Sequence, residues 1–446
     1  MNVKTSALVG LVLCAGILSA SGSTTGRTEE SRAYRAYITS AARDGLATDE
    51  PPPAAAGLPG APANWPTQLG IGVSDAPGGA AQLGSEGFAF RYQYLAGGAN
   101  TGSGWQSWEA DGKFVEHYIE ESERAAVIPV FSYYMVRQSE PGSTMQEQDG
   151  VKANLVSDST MRSIFDDLAA FFRSAGAATN STVVLHFEPD LWGYIEQQSK
   201  NDDASTVKIS VGSSGQPDVV GLPDTASGLA RAVLRLRDLY APNVLVSYHF
   251  SAWGTGIDPL YANPSDQTLD ELSERSVDFY HSLGAEFDLG FAEMTDRDAG
   301  FKEDVYGDHG ASWWDEADFA NNVTLLGNFV QGTGLRVVLW QLPFGNTVMR
   351  SMDNSWDHYQ DNKVEWLLGD RSYSHLRAYM NAGVIGLLFG RGADGATCAC
   401  DAAGDGITNP APINGNDALA TSADDDGGYF RERASEYLST GGLLLP

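Results

Sequence analysis

Thr182-Val183-Val184-Leu185-His186-Phe187-Glu188-Pro189-Asp190 is an apolar run that stops abruptly at two acids. A short run of this kind, rich in β-branched and aromatic residues, reads as a strand buried on both faces. Pro189 cannot donate a ladder hydrogen bond, so the strand ends there. A period of two puts Val184, His186 and Glu188 on one side. The whole run extends over 182–194, and seven others resemble it, at 68–77, 88–98, 126–135, 243–254, 287–298, 336–346 and 383–392. Amphipathic helical patterns at 114–124, 157–175, 225–240, 269–283, 315–330 and 372–381 separate most of them, and one at 427–439 follows the last. In the second of these, Ser157 or Asp158 is placed to cap the N-terminus, and Ile164, Phe165, Leu168, Phe171 and Phe172 share an apolar face. Strand and helix alternating eight times predict α/β architecture, a closed parallel (β/α)8 TIM-type barrel. Residues 78–87 have room for little more than one turn, so the first helix is expected to be missing or very short and the barrel distorted there.

The chain has 446 residues, of which 65–446 fit one such barrel with long loops. Residues 1–22 read as a secretory signal. Lys4 supplies the charge, 7–18 the apolar stretch, and 19–23 the small residues for cleavage. A secreted or periplasmic location follows as the expectation. Lipid anchoring through Cys14 is the weaker alternative, since bulky Leu13 stands where a small residue is required. Residues 23–64, rich in Pro and Ala, read as a tether. No later stretch is apolar enough to enter a membrane.

A formal net charge of −30 repels nucleic acid and anionic surfaces and suits a neutral or cationic substrate. Cys398 and Cys400 form a lone Cys-x-Cys, open to a local disulfide or to two free thiols. The oligomeric state stays open.

Barrels of this type carry their chemistry at the C-terminal strand ends. Two ends carry acids in matching positions: Glu188 with Asp190 on the fourth strand, Glu293 with Asp296 on the sixth. Two carboxylates facing across one cleft are what glycosidic cleavage needs, one to protonate the leaving oxygen and one to attack or to activate water. Glu188 is therefore the expected nucleophile or base and Glu293 the acid, with Asp190, Asp296, His186 and Arg391 in support. Arg91 or Arg391 is expected to pair with Glu188 or Asp75. Tyr134, His249, Trp253, Trp340 and Gln341 at other strand ends, with Trp192 just past Asp190, are expected to line a carbohydrate groove, since flat rings stack on sugar faces. No cofactor and no catalytic metal are expected. Asp401, Asp405 and Asp417 in the last loop offer a structural calcium site.

Together these features resemble the secreted (β/α)8 glycoside hydrolases of bacteria over residues 65–446. Glu188-Pro189-Asp190 looks like the Glu-Pro-Asp tripeptide of the family 6 cellulases, whose other acidic loop is absent. The Asn-Glu-Pro motif of the large endo-glycanase clan is also absent, because Phe187 precedes Glu188. Acids on the fourth and sixth strands are similar to the α-galactosidase arrangement, which implies a nucleophile on the fourth. No single family is indicated. The expectation is hydrolysis of a neutral polysaccharide or oligosaccharide. The alternatives are a non-catalytic carbohydrate-binding barrel, or a metal-dependent hydrolase in which His186, Glu188 and His249 converge.

Overall fold

The computed structural model describes residues 57–262, 264–402, 404–409 and 418–446. The signal, most of the tether and Asp417 lie outside them. Eight strands close into a parallel barrel in chain order: β1 (Gly70–Ser74), β2 (Phe90–Leu95), β3 (Ile128–Tyr133), β4 (Val183–Phe187), β5 (Val244–Phe250), β6 (Leu289–Glu293), β7 (Val337–Leu342) and β8 (Val384–Phe389). Pairing of Gly70 with Gly386 through Val73 with Phe389 seals the ring.

Strand parity explains the continuous apolar runs. Val184, Phe90, Tyr92, Val130, Leu289, Phe291, Val338, Trp340, Ile385 and Leu388 fill the barrel interior as one cluster. Val183, Leu185 and Phe187 belong to the second, outer core under the helices. Both faces of β4 are thus dry, and no polar alternation is required. At Gly72 a Cβ would sit 2.6 Å from both Leu388 Cδ2 and Phe90 Cβ, so only glycine lets these residues fill the bottom of the barrel.

The helical patterns fold as read. Phe114–Arg124 is a helix, and Ser157 caps Asp158–Ala178 by accepting from the Thr160 amide. The expected apolar face of that helix is fully buried. Helices Ala226–Tyr240, Asp266–Ser282, Glu316–Thr333, Ser374–Asn381 and Tyr429–Ser439 follow their strands. Between β1 and β2 a seven-residue helix, Ala80–Glu86, does form, so the first helix is short and not missing. The fourth run breaks earlier than its length suggested, because Leu191–Gln198 is helical. Cys398 and Cys400 are joined by a disulfide. Asp401 accepts from the amides of Asp405 and Gly406 and so serves its own turn.

Candidate active site at the barrel mouth

The site begins with a kink. Glu188 and Asp190, either side of Pro189, both have positive φ, 47° and 66°. Left-handed backbone is costly for residues other than glycine, and such strain collects at functional sites. Its consequence here is a reversal of parity. His186 points into the barrel, its ring 4.2 Å from that of Phe291 and 4.6 Å from that of Trp340. Glu188, two residues on, does not follow it. Its Oε1 accepts from the amides of Met135 (3.0 Å) and Val136 (2.8 Å), beyond the end of β3. Burial pushes its carboxyl up to about 8, against the pull of those two amides, and Asp167 of the outer helix 158–178 raises it further. Glu188 thus ties the end of β4 to the segment after β3, with one carboxylate oxygen taken up by those two amides.

Asp190 takes the position at the mouth. One oxygen of Asp190, one of Glu293 and one ring nitrogen of His249 lie within 4.8 Å of one another. Burial raises the Glu293 carboxyl well above its ordinary range, and the neighbouring Asp190 and Asp296 raise it further. Asp190 rises to about 7, first through burial and then through Glu147 and Asp296. Asp296 moves the other way. Burial would push it up, but Lys302 and Arg297 outweigh that and hold it ionised. Its ion pairs are short, 2.7 Å to Lys302 Nζ and 2.9 Å to Arg297 Nη1. The mouth thus holds one ionised acid and two with raised carboxyls, the pattern expected when like charges share one partly buried site.

Two histidines stand behind Asp190. His249 Nε2 lies 4.0 Å from Asp190 Oδ1, and its Nδ1 is 2.8 Å from His186 Nε2. His186 Nδ1 in turn meets Ser132 Oγ at 3.1 Å. Burial keeps both rings neutral, with His249 lowered to about 3 and His186 well below its usual value. His186 is fully engaged and Glu188 is elsewhere, so the metal set His186, Glu188 and His249 does not converge.

The remaining expected residues divide. Tyr134 donates to Glu147 Oε1 at 3.1 Å, beside Asp190. Trp340 closes the floor of the mouth, buried, with its Nε1 unpartnered. Trp253 is half-buried and packs against Tyr194 at 4.9 Å, on the rim after β5. Gln341 sits in left-handed backbone (φ 56°) where the β7–β8 register shifts. Trp192 is a correction. It lies on the helix after β4, wholly buried against Tyr248 and Phe287, and cannot touch a substrate. Arg391 is another, since it pairs with Asp357 and Asp394 and with none of the mouth acids. Arg91 pairs with Asp75 at 2.8 Å and with Glu121 at 3.0 Å.

Sequence reasoning missed four contributors. Lys302 and Glu147 open helical segments well beyond the ends of β6 and β3, Lys302–Tyr306 and Glu147–Leu155. Ser132 is inward on β3, where parity could have found it. Tyr94, inward on β2, senses both Glu293 and Asp190, and its position at a strand end was the available signal. A separate polar cleft of about 610 Å³, lined among others by Glu196, Asp202, Thr255 and Arg275, contains none of the mouth acids.

No family model matches the chain, and no curated protein sequence does. Among solved structures, the chain is similar to the GH53 catalytic domain of Ignisphaera aggregans at 11% identity and a TM-score of 0.37, over 75% of this chain and 87% of that one. It is similar to a β-1,4-mannanase of the sea hare Aplysia kurodai at 10% identity and a TM-score of 0.36, over 73% and 88%. It is also similar to the dihydropteroate synthase of Xanthomonas albilineans at 12% identity and a TM-score of 0.30, over 73% and 87%. Likenesses this distant go with a barrel shape and carry no argument about chemistry.

Proposed function

We propose that this barrel is a secreted glycoside hydrolase that cleaves a neutral polysaccharide or oligosaccharide with retention, using Asp190 and Glu293. The observation that carries the reading is the approach of these two carboxyls, one oxygen of each lying within 4.8 Å of the other across the mouth. Retaining enzymes keep the pair about 5–5.5 Å apart, whereas inverting ones leave about 6.5–9.5 Å for a water. Glu293, held protonated by burial and by its acidic neighbours, gives its proton to the leaving oxygen as Asp190 attacks the anomeric carbon. A covalent glycosyl ester forms and the glycosidic C–O bond breaks. Glu293, now ionised, takes a proton from water, and that water displaces Asp190. Asp296, fixed by Lys302 and Arg297, keeps a negative charge beside Glu293 and so favours its protonated form before attack. Trp340 and Tyr94 would form the apolar floor under the sugar, and Trp253 with Tyr194 a rim for stacking.

The test is a panel of soluble polysaccharides and aryl glycosides assayed with the wild type and with Glu293→Gln. Loss of the acid should lower kcat by about 10²–10⁴-fold on a polysaccharide. The loss should be much smaller on a dinitrophenyl glycoside, whose leaving group needs no proton. An equal loss on both substrates would remove Glu293 from the acid role. Activity on no glycan at all would leave the non-catalytic carbohydrate-binding barrel as the better reading.

The mechanism needs no bound metal. Activity on the best substrate is therefore expected to survive exhaustive treatment with EDTA, measured as initial rate before and after dialysis. Loss that is restored by added zinc or manganese would overturn the metal-free mechanism.

A further inference from the structure

We infer that Asp190, His249 and Glu293 also form a binding site for one divalent metal ion of borderline softness, zinc above all. The inference goes beyond the proposed hydrolysis, and ion binding does not depend on that reading being right. Three observations meet at one point. First, a nitrogen and two oxygens, one from each residue, lie within 4.8 Å of one another, so small side-chain movements bring all three onto one centre. Second, His249 Nε2 is buried, lies 4.0 Å from Asp190 Oδ1, and has no hydrogen-bond partner. A buried ring nitrogen without a partner is rare, and this one aims at the two acids.

Third, the far side of the imidazole is built as metal-binding histidines usually are. Its Nδ1 meets His186 Nε2, and His186 Nδ1 meets Ser132 Oγ. With His249 Nδ1–H donating to His186, and His186 Nδ1–H donating to the serine oxygen, the Nε2 lone pair faces the acids. Such outer partners fix the tautomer and direction of a ligating ring. Asp296 is not a ligand, because Lys302 and Arg297 already occupy it. Among the described residues, neither Asp190 nor Glu293 has a lysine or arginine within 4.0 Å. One imidazole and two carboxylates favour zinc over magnesium or calcium, which prefer oxygen alone. Three protein ligands leave a coordination position open. The ion would hold the same atoms that act on the sugar, so under the proposed mechanism it competes with substrate.

Isothermal titration of the full chain with zinc chloride, after chelator treatment and dialysis, tests this. We expect one tight ion per chain, counted independently by elemental analysis. Outer partners are typically worth 10–100-fold in affinity, so Ser132→Ala should fall in about that range, and His249→Gln should lose more than about 100-fold. If His249→Gln fails to fold, the cobalt(II) form of the wild type decides. Absorption bands of a low-coordinate nitrogen and oxygen site support the inference, and the spectrum of the hexa-aqua ion overturns it. Weak uptake at many places, unchanged in the variants, also overturns it, for a surface of net charge −30 would bind cations in that way. Zinc that inhibits competitively supports both site and mechanism. Zinc that restores an EDTA-treated enzyme supports the site and replaces the metal-free mechanism. Zinc bound as expected in a protein inert on every glycan retires the hydrolase reading alone.

Discussion

Asp190→Asn is expected to abolish turnover on polysaccharide and on activated aryl glycosides alike. The asparagine keeps the shape of the side chain but cannot form the glycosyl ester. The fall in kcat should exceed the about 10²–10⁴-fold that proton-transfer assistance is worth. A small external nucleophile such as azide should restore part of the rate on an activated glycoside, giving a glycosyl azide of inverted configuration. Stability should change little or rise, since Asp190 has a carboxyl raised to about 7 and gains nothing from ionising in the folded chain. Near-normal turnover in Asp190→Asn would remove the nucleophile and with it the retaining mechanism. The measurements are steady-state rates with product analysis by proton NMR.

The second large effect concerns stability. Glu188→Ala is expected to destabilise the protein strongly, because it strips two buried amides, Met135 and Val136, of their acceptor. Each unsatisfied buried donor costs about 1–3 kcal/mol. Glu188→Gln keeps an acceptor oxygen in place and should melt close to the wild type at neutral pH, with kcat little changed. The two proteins should differ in their pH dependence. The Glu188 carboxyl titrates near 8 in the folded chain and near an ordinary carboxylate value when unfolded. Between those values the folded state holds the extra proton, so this group makes stability fall as pH rises from about 4 to about 8. The glutamine variant lacks that contribution, and its melting temperature should decline less over the window. Turnover lost by orders of magnitude at an unchanged melting temperature would return Glu188 to the chemistry.

These two predictions exchange the roles that the sequence alone assigned within one tripeptide. The strand, its end at Pro189 and the presence of acids there were legible, because proline chemistry and apolar periodicity are local. Which acid faces the cleft was not. Parity pointed to Glu188, and parity fails where φ turns positive at 188 and again at 190. Trp192 was misplaced for a related reason. An apolar run of 182–194 does not distinguish a strand from a strand followed by a helix, and only packing against Tyr248 and Phe287 decides the boundary. On the sixth strand no such break intervenes. Glu293 ends β6 at the mouth, with Asp296 three residues on, paired with Arg297.

By itself, then, the sequence determined the barrel: eight dry strands and their helices follow from a hydrophobic pattern that repeats whatever the loops do. It also determined which strand ends are acidic. Only the tertiary structure decided the charge state of those acids. Asp296 is held ionised because Arg297 and Lys302, from the segment that follows it after β6, both face it, and the Glu293 carboxyl is raised by burial and then by Asp190, which comes across from β4. The pairing of His249 with His186 and Ser132 likewise joins three strands. Apolar burial is a near-additive property of each segment. Proton affinity depends on distances between groups remote in the chain and on the water removed between them, and neither quantity exists until the barrel has closed.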